Sequence, residues 1–236
     1  MGKIWTVCSG SGGVGKTTIA LSIAVGAAKA GKKTILLDAS GASRSCDLVL
    51  GLESIVTLDL MNVLAKQIHM ESALYPVMQY ENLYLACSSL YDRTPVSELS
   101  RIVLALYSLC DILVIDMPTG QSFLGRGVMR TGDERLLITR PDNASIRATE
   151  RLLAHCSADD AISSLVINHA SRERIKRKTQ YTQDTVQNLL DMPVMACIPE
   201  DASIPEGESH ARAAIECDGP AWTALSNLSK ALLAGV

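Results

Sequence analysis

The amino-acid sequence predicts an α/β fold, a single doubly wound and mostly parallel sheet of about seven to eight strands flanked by helices. Three observations carry that expectation. Short aliphatic runs alternate with segments of helical periodicity along all 236 residues, with no Pro/Ser-rich linker between halves. One domain over residues 1–236 follows. The hydrophobic fraction is 47% although aromatics reach only 4%, and an aliphatic core suits parallel strands buried on both faces. Finally, a glycine-rich loop, Gly10-Ser11-Gly12-Gly13-Val14-Gly15-Lys16-Thr17, separates the first aliphatic run from the first helical segment.

In chain order, residues 4–8 read as a strand and residues 18–29 as the helix that follows the loop. The loop has the glycine-lysine-threonine pattern that cradles phosphates. Its glycines permit a tight turn with inward N–H groups, Lys16 can reach the β- and γ-phosphates, and the Thr17 hydroxyl can ligate Mg²⁺. The helix N-terminus, beginning at Thr18, places its partial positive charge behind them. Gly31 stops that helix, and residues 34–38 form a second strand ending in Asp38, at the carboxyl edge where open α/β sheets bind ligands. Residues 39–47 lack periodicity and read as a mobile loop. Helices are predicted from Leu58 to Lys66 and around residues 70–74, and a third strand over residues 83–87. The Thr94-Pro95 pair starts a helix over residues 96–109. Residues 112–115 are the most strand-like run, and Asp116-Met117-Pro118-Thr119-Gly120 follows it. An aliphatic strand ending in Asp is the second half of a nucleotide site: Asp116 can hold Mg²⁺ through water while the Gly120 amide approaches the γ-phosphate. The alternation continues with strands over residues 135–139, 164–168 and 194–198. Helices are expected over residues 144–155, 175–190, 211–215 and 221–233.

The formal net charge of −3 argues against a constitutive nucleic-acid binder. The basic run at residues 172–178 reads first as a solvated face; the sharper alternative is a DNA or acidic-partner patch. Seven cysteines are scattered without a C-x-x-C pair, the pattern of reduced thiols in a cytoplasmic protein. His69, His155, His169 and His210 show no ligand spacing. No signal-peptide pattern begins the chain, and no apolar run approaches the roughly 18 residues of a membrane span. A cytoplasmic location is therefore expected.

With the loop, Asp38 and Asp116 in hand, the chain resembles the MinD/ParA family of deviant phosphate-loop (P-loop) ATPases, and its MinD branch in particular. The resemblance rests on residues 11–18 (SGGVGKTT), 31–38 (GKKTILLD), Arg44 with 47–51 (DLVLG), 81–84 (ENLY), 116–120 (DMPTG), 145–151 (SIRATER) and 198–201 (IPED). It implies binding of ATP or ADP with Mg²⁺, ATP-dependent homodimerisation, and a protein partner that locates the protein in the cell. It implies catalytic roles for Lys16, Asp38 and Asp116, Mg²⁺ contacts from Thr17, Asp38 and Asp116, and adenine contacts from Asn168, Pro199, Glu200 and Asp201. Three departures from the family pattern shape the expected activity. The family's signature loop lysine is replaced by Ser11, and a water-orienting Asp by Ser40. Losing both should slow γ-phosphate hydrolysis while sparing binding, with Arg44 or Arg140 as substitute cations. The third departure is the C-terminal stretch over residues 229–236, which lacks the basic, aromatic-anchored face of a membrane-surface helix. Direct membrane contact is not expected. The function implied is spatial positioning of a division site, flagellum, pilus or similar structure. The alternatives are a non-hydrolysing nucleotide-bound scaffold and a nucleotide-gated metal or cluster insertion factor.

Overall fold

The first strand, β1 (Lys3–Cys8), is buried beyond its first residue and runs straight into the glycine loop. The computed structural model of this chain describes residues 2–40, 45–88, 96–120, 132–156 and 164–236. After the loop comes α1 (Lys16–Lys29), rich in Ala, Ile, Leu and Val and buried along most of its length. Strands β2 (Thr34–Asp38), β3 (Tyr75–Pro76), β4 (Leu83–Cys87), β5 (Ile112–Asp116), β6 (Glu134–Thr139), β7 (Ser164–Ala170) and β8 (Val194–Pro199) complete one 8-stranded sheet in the order β3-β4-β2-β5-β1-β6-β7-β8. Every pairing is parallel except β3 with β4. The sheet is doubly wound: from central β1 the chain builds outward through β2 on one side and through β6, β7 and β8 on the other.

Alternation of side chains along the buried strands creates two cores. Trp5, Val7, Leu36, Val114 and Leu136 pack under α1 and the C-terminal helix over Trp222–Leu233. Ile35, Leu37, Leu113, Ile115 and Leu137 face the opposite layer, which includes Leu99, Val103, Leu106, Ile146 and Val186. Aliphatic residues on both faces of the central strands are what a sheet covered on both faces requires.

The remaining helices are α2 (Ser45–Val49), α3 (Leu60–Leu64), α4 (Val96–Tyr107), α5 (Asn143–Leu153), α6 (Arg172–Lys176), α7 (Gln183–Leu190), α8 (Ser203–Ser209) and α9 (Trp222–Leu233). Several differ from expectation. The segment read as a loop over residues 39–47 contains the start of α2, whose first turn is anchored when Cys46 N donates to Asp38 Oδ2 at 2.9 Å. The helix expected to reach Lys66 ends at Leu64, because Lys66 turns left-handed at φ 57°. Residues 70–73 form a 3-10 turn, and the short antiparallel edge strand β3 was not anticipated; its Pro76 suits an edge position. The start at Thr94-Pro95 lies outside the described residues.

The single helix expected over residues 175–190 is two. Ser171 caps α6, Lys178 turns left-handed at φ 58°, and Thr182 starts α7 afresh. No helix forms over residues 211–215, where Ala211 has φ 56°; a 3-10 turn occupies Ala214–Glu216. Instead α8 lies upstream. Its Pro205 falls in the first turn, where a missing N–H leaves no bond unmade. No helix among the described residues is long and apolar enough to cross a membrane.

Candidate functional site

Parallel order and register build the site. β5 lies between β1 and β2, so their carboxyl ends converge and Asp38 stands directly beside Asp116 in the β2–β5 register. The glycine loop leaves β1 at the same edge and curls over both. Gly15 takes φ 86°, and a Cβ there would stand 2.2 Å from Asn168 Nδ2. Glycine is thus required twice over, by the backbone and by its neighbour. Asn168 Nδ2 in turn donates to Val14 O at 2.8 Å, tying β7 to the loop. At the loop's other end, a Cβ on Gly10 would lie 2.3 Å from Ala148 O of α5. Ser9 Oγ donates to Ser11 O at 2.9 Å, and the Gly120 amide donates to Ser9 O at 3.0 Å. Ser9, Ser11, Gly13, Val14, Gly15, Lys16, Thr17 and Thr18 line a cleft of about 280 Å³, closed by Ser45, Val49, Thr119 and Glu208.

Beneath that cleft sit the charged groups. Lys16 Nζ lies 3.4 Å from Asp116 Oδ1, and the Thr17 hydroxyl donates to Asp116 Oδ2 at 2.6 Å. Asp38 and Asp116 are both fully buried. Burial pushes the Asp116 carboxyl up to about 6, with Asp38 adding to the rise and Lys16 and Thr17 opposing it. Asp38 accepts from Ser40 N at 2.9 Å, from Ser40 Oγ at 2.5 Å and from Cys46 N. Ser40 is therefore a hydroxyl drawn back onto Asp38. A third carboxylate, Glu208 of α8, accepts from Thr18 Oγ1 at 2.7 Å, and burial raises its pKa against that bond. Neither Cys46 nor Glu208 was singled out from the sequence. Cys46 falls in a stretch without periodicity, and Glu208 stands 190 residues from its partner.

The residues expected at the adenine divide in two. Pro199 and Glu200 line a cleft of about 710 Å³ with Ala170, Ser171 and Arg172. Asn168 lies two positions before Ala170 on β7 and does not line this cleft. Asp201 is engaged otherwise. Its carboxylate accepts from Ser203 N, Ser203 Oγ and Ala221 N at 2.7–2.9 Å, which ties the first residue of α8 to the turn before α9. Burial works against its ionisation, and these bonds overcome that and lower its pKa. Arg140 Nε pairs with Asp142 at 3.5 Å, and Arg44 lies outside the described residues. In the basic run, Arg174 pairs with Glu200 at 3.0 Å and Arg177 with Glu173 at 2.5 Å, while Arg172, Lys176 and Lys178 are exposed. His169 has its pKa lowered by burial, then by Arg140 and Arg174, against Glu200.

The ParA family model, described as NUBPL iron-transfer P-loop NTPase, matches residues 1–233. The chain belongs to the ParA family of P-loop NTPases. This ParA-family chain is 30% identical over 217 residues to the septum site-determining protein MinD of Buchnera aphidicola subsp. Schizaphis graminum, covering 86% of this chain and 80% of that one. Among solved structures it superposes on MinD complexed with Mg-ADP from Pyrococcus horikoshii OT3 with a TM-score of 0.83 at 26% identity, over 100% of this chain and 98% of that one. The MinC:MinD cell division protein complex of Aquifex aeolicus gives a TM-score of 0.90 at 24% identity over 98% and 96% of the respective chains, a likeness of fold. The ParA-family site fits a magnesium nucleotide on its own chemistry. Two buried carboxylates face one buried ammonium, and the Thr17 hydroxyl and the loop's bare glycines stand above them.

Proposed function

We propose that this ParA-family chain acts as one nucleotide-binding domain and as a MinD-like, ATP-gated positioning ATPase. The observation that carries the reading is the in-register pair Asp38 and Asp116 held under Lys16 and Thr17. In this reading the loop amides from Gly10 to Thr18 and the Lys16 ammonium hold the phosphates of ATP or ADP, with Gly120 at their far side. Thr17, Asp38 and Asp116 hold Mg²⁺, which when bound neutralises charge on the phosphates and orients them. Asn168, Pro199 and Glu200 border the base; Asp201 shapes the turn that carries Glu200. The name of the Pyrococcus relative's complex, MinD with Mg-ADP, supports the cofactor, and the MinD relatives support positioning as the role.

Hydrolysis is slow in this reading. Ser11 places no charge in the cleft, and Ser40 is tied to Asp38 rather than presenting a carboxylate to water. Dimerisation in the ATP state is supported by α2, which borders the cleft and leaves Leu48 65% exposed, an apolar rim for a second copy to cover. A protein partner places the dimer, as the MinC:MinD complex illustrates for a relative; membrane recruitment is indirect, and DNA contact through residues 172–178 is secondary.

Size-exclusion chromatography with Mg-ADP and then Mg-ATP tests the switch. A dimer with ATP alone is expected; identical elution marks a scaffold instead. Steady-state turnover should be well below that of ordinary family members and should rise in Ser11→Lys with Ser40→Asp. Ordinary turnover, unaltered by Ser11→Lys, overturns the slow-hydrolysis reading. The family model's description favours a second reading, nucleotide-gated metal or cluster insertion. Cys8, Cys46, Cys87 and Cys217 are buried, which leaves Cys110, Cys156 and Cys197, partly buried and scattered in sequence, as the thiols that could serve a cluster shared between copies. Iron and sulfide analysis of anaerobically purified protein decides between them.

A further inference from the structure

Cys46 stands where an all-oxygen magnesium site has no need of sulfur. Ligand atoms of Asp38, Cys46 and Asp116 all lie within 4.8 Å of one another, and all three residues are buried. Cys46 Sγ is 3.9 Å from Asp116 Oδ2, the same oxygen that holds the Thr17 hydroxyl at 2.6 Å. Its place is fixed from the backbone, since Cys46 N donates to Asp38 Oδ2. Cys46 closes one end of the aliphatic core under α1, and its sulfur lies at that core's boundary with the two carboxylates. Among the described residues those carboxylates have one ammonium between them, Lys16, and it lies on the Oδ1 side of Asp116. The Oδ2 side therefore combines excess negative charge with a sulfur donor.

We propose that Cys46 is a direct ligand, with Asp38 and Asp116, of a thiophilic divalent cation of the zinc and cadmium class. The proposal rests on the reading that Asp38 and Asp116 face the nucleotide's cation. Sulfur ranks soft ions above magnesium, which demands oxygen donors. Zinc–sulfur and zinc–oxygen bonds of about 2.3 and 2.1 Å place neighbouring ligand atoms about 3.5 Å apart, so the three groups close by about an ångström on binding. The S–H bond breaks, a sulfur–metal bond forms and the proton leaves to solvent; no group is oxidised or reduced.

Titration of the nucleotide-free protein with cadmium chloride, read by the ultraviolet sulfur-to-cadmium charge-transfer band, tests this. One equivalent is expected to bind with a band that excess Mg²⁺ does not remove and that Zn²⁺ does. Cys46→Ser and Cys46→Ala should both lose that band and weaken cadmium binding about 10–100-fold. Cys110→Ser, in the turn after α4, should keep it. An equal band in the wild type and both Cys46 variants, or its removal by Mg²⁺, overturns the proposal. Binding of a fluorescent ADP analogue with Mg²⁺ to the wild type is the separate measure of the nucleotide reading: its failure alongside a Cys46-dependent band would sink that reading and leave the metal site standing.

Discussion

Lys16, Thr17, Asp38 and Asp116 owe their usefulness to one buried edge. The pKa of Asp116 is raised from its usual 3.8 to about 6, so the folded protein holds a proton that the unfolded chain has already released. Its contribution to stability is fully present below the unfolded value and is lost as pH rises through about 6. The difference in unfolding free energy between wild type and Asp116→Asn should therefore shift by about 2 kcal/mol against the wild type between pH 4 and pH 7, measured by urea denaturation at both. A second prediction separates two glycines of the same loop. Gly10→Ala forces a Cβ to within 2.3 Å of Ala148 O, whereas Gly12→Ala meets nothing within 4 Å. The first should lose about 1–3 kcal/mol of stability and the second less than about 0.5 kcal/mol. These glycines look alike in sequence, because their difference is made by α5, which the loop does not contain. The four residues themselves were legible beforehand, since a glycine-rich loop and an aliphatic strand ending in Asp are local patterns.

At the scale of elements, caps and left-handed residues decided what periodicity could not. Ser171 and Thr182 begin separate helices where the apolar spacing suggested one, and Lys178 turns the chain between them. Helix α8 was hidden by Pro205 and by its shortness, yet it brings Glu208 to the phosphate cleft. A carboxylate at that wall repels phosphates and competes for the Thr18 hydroxyl. Glu208→Gln should tighten binding of a fluorescent ADP analogue several-fold in low salt, with the gain shrinking as ionic strength rises; unchanged binding would show no net repulsion from the carboxylate, and weaker binding that it helps hold the nucleotide. Asp201 illustrates the converse. Its place in the motif suggested the base, and its three accepted bonds instead tie the start of α8 to the start of α9.

Across the whole molecule, one face of the sheet depends on how closely α1 approaches α9. Gly26 of α1 permits it: a Cβ there would lie 2.1 Å from Ser229 Oγ, a buried hydroxyl with no hydrogen-bond partner among the described residues. Gly26→Ala should lower unfolding free energy by about 1–3 kcal/mol despite alanine's better helix propensity, and Ser229→Ala should be neutral or stabilising by itself and recover only part of that loss in the double variant, since Ser229 Cβ would still lie 2.8 Å from the new Cβ. Thermal melts of the three variants check this. The sequence by itself determined the alternation of strands and helices, the phosphate loop and the two strand-ending aspartates, because each is written in a contiguous run whose residues solve a local problem of burial or backbone geometry. Only the tertiary structure decided that Asp38 and Asp116 share a register, that Asn168 braces Val14, and that Cys46 and Glu208 enter the site. Those contacts span from 8 to 190 residues and depend on strand order and on the seating of short helices, which no local period encodes.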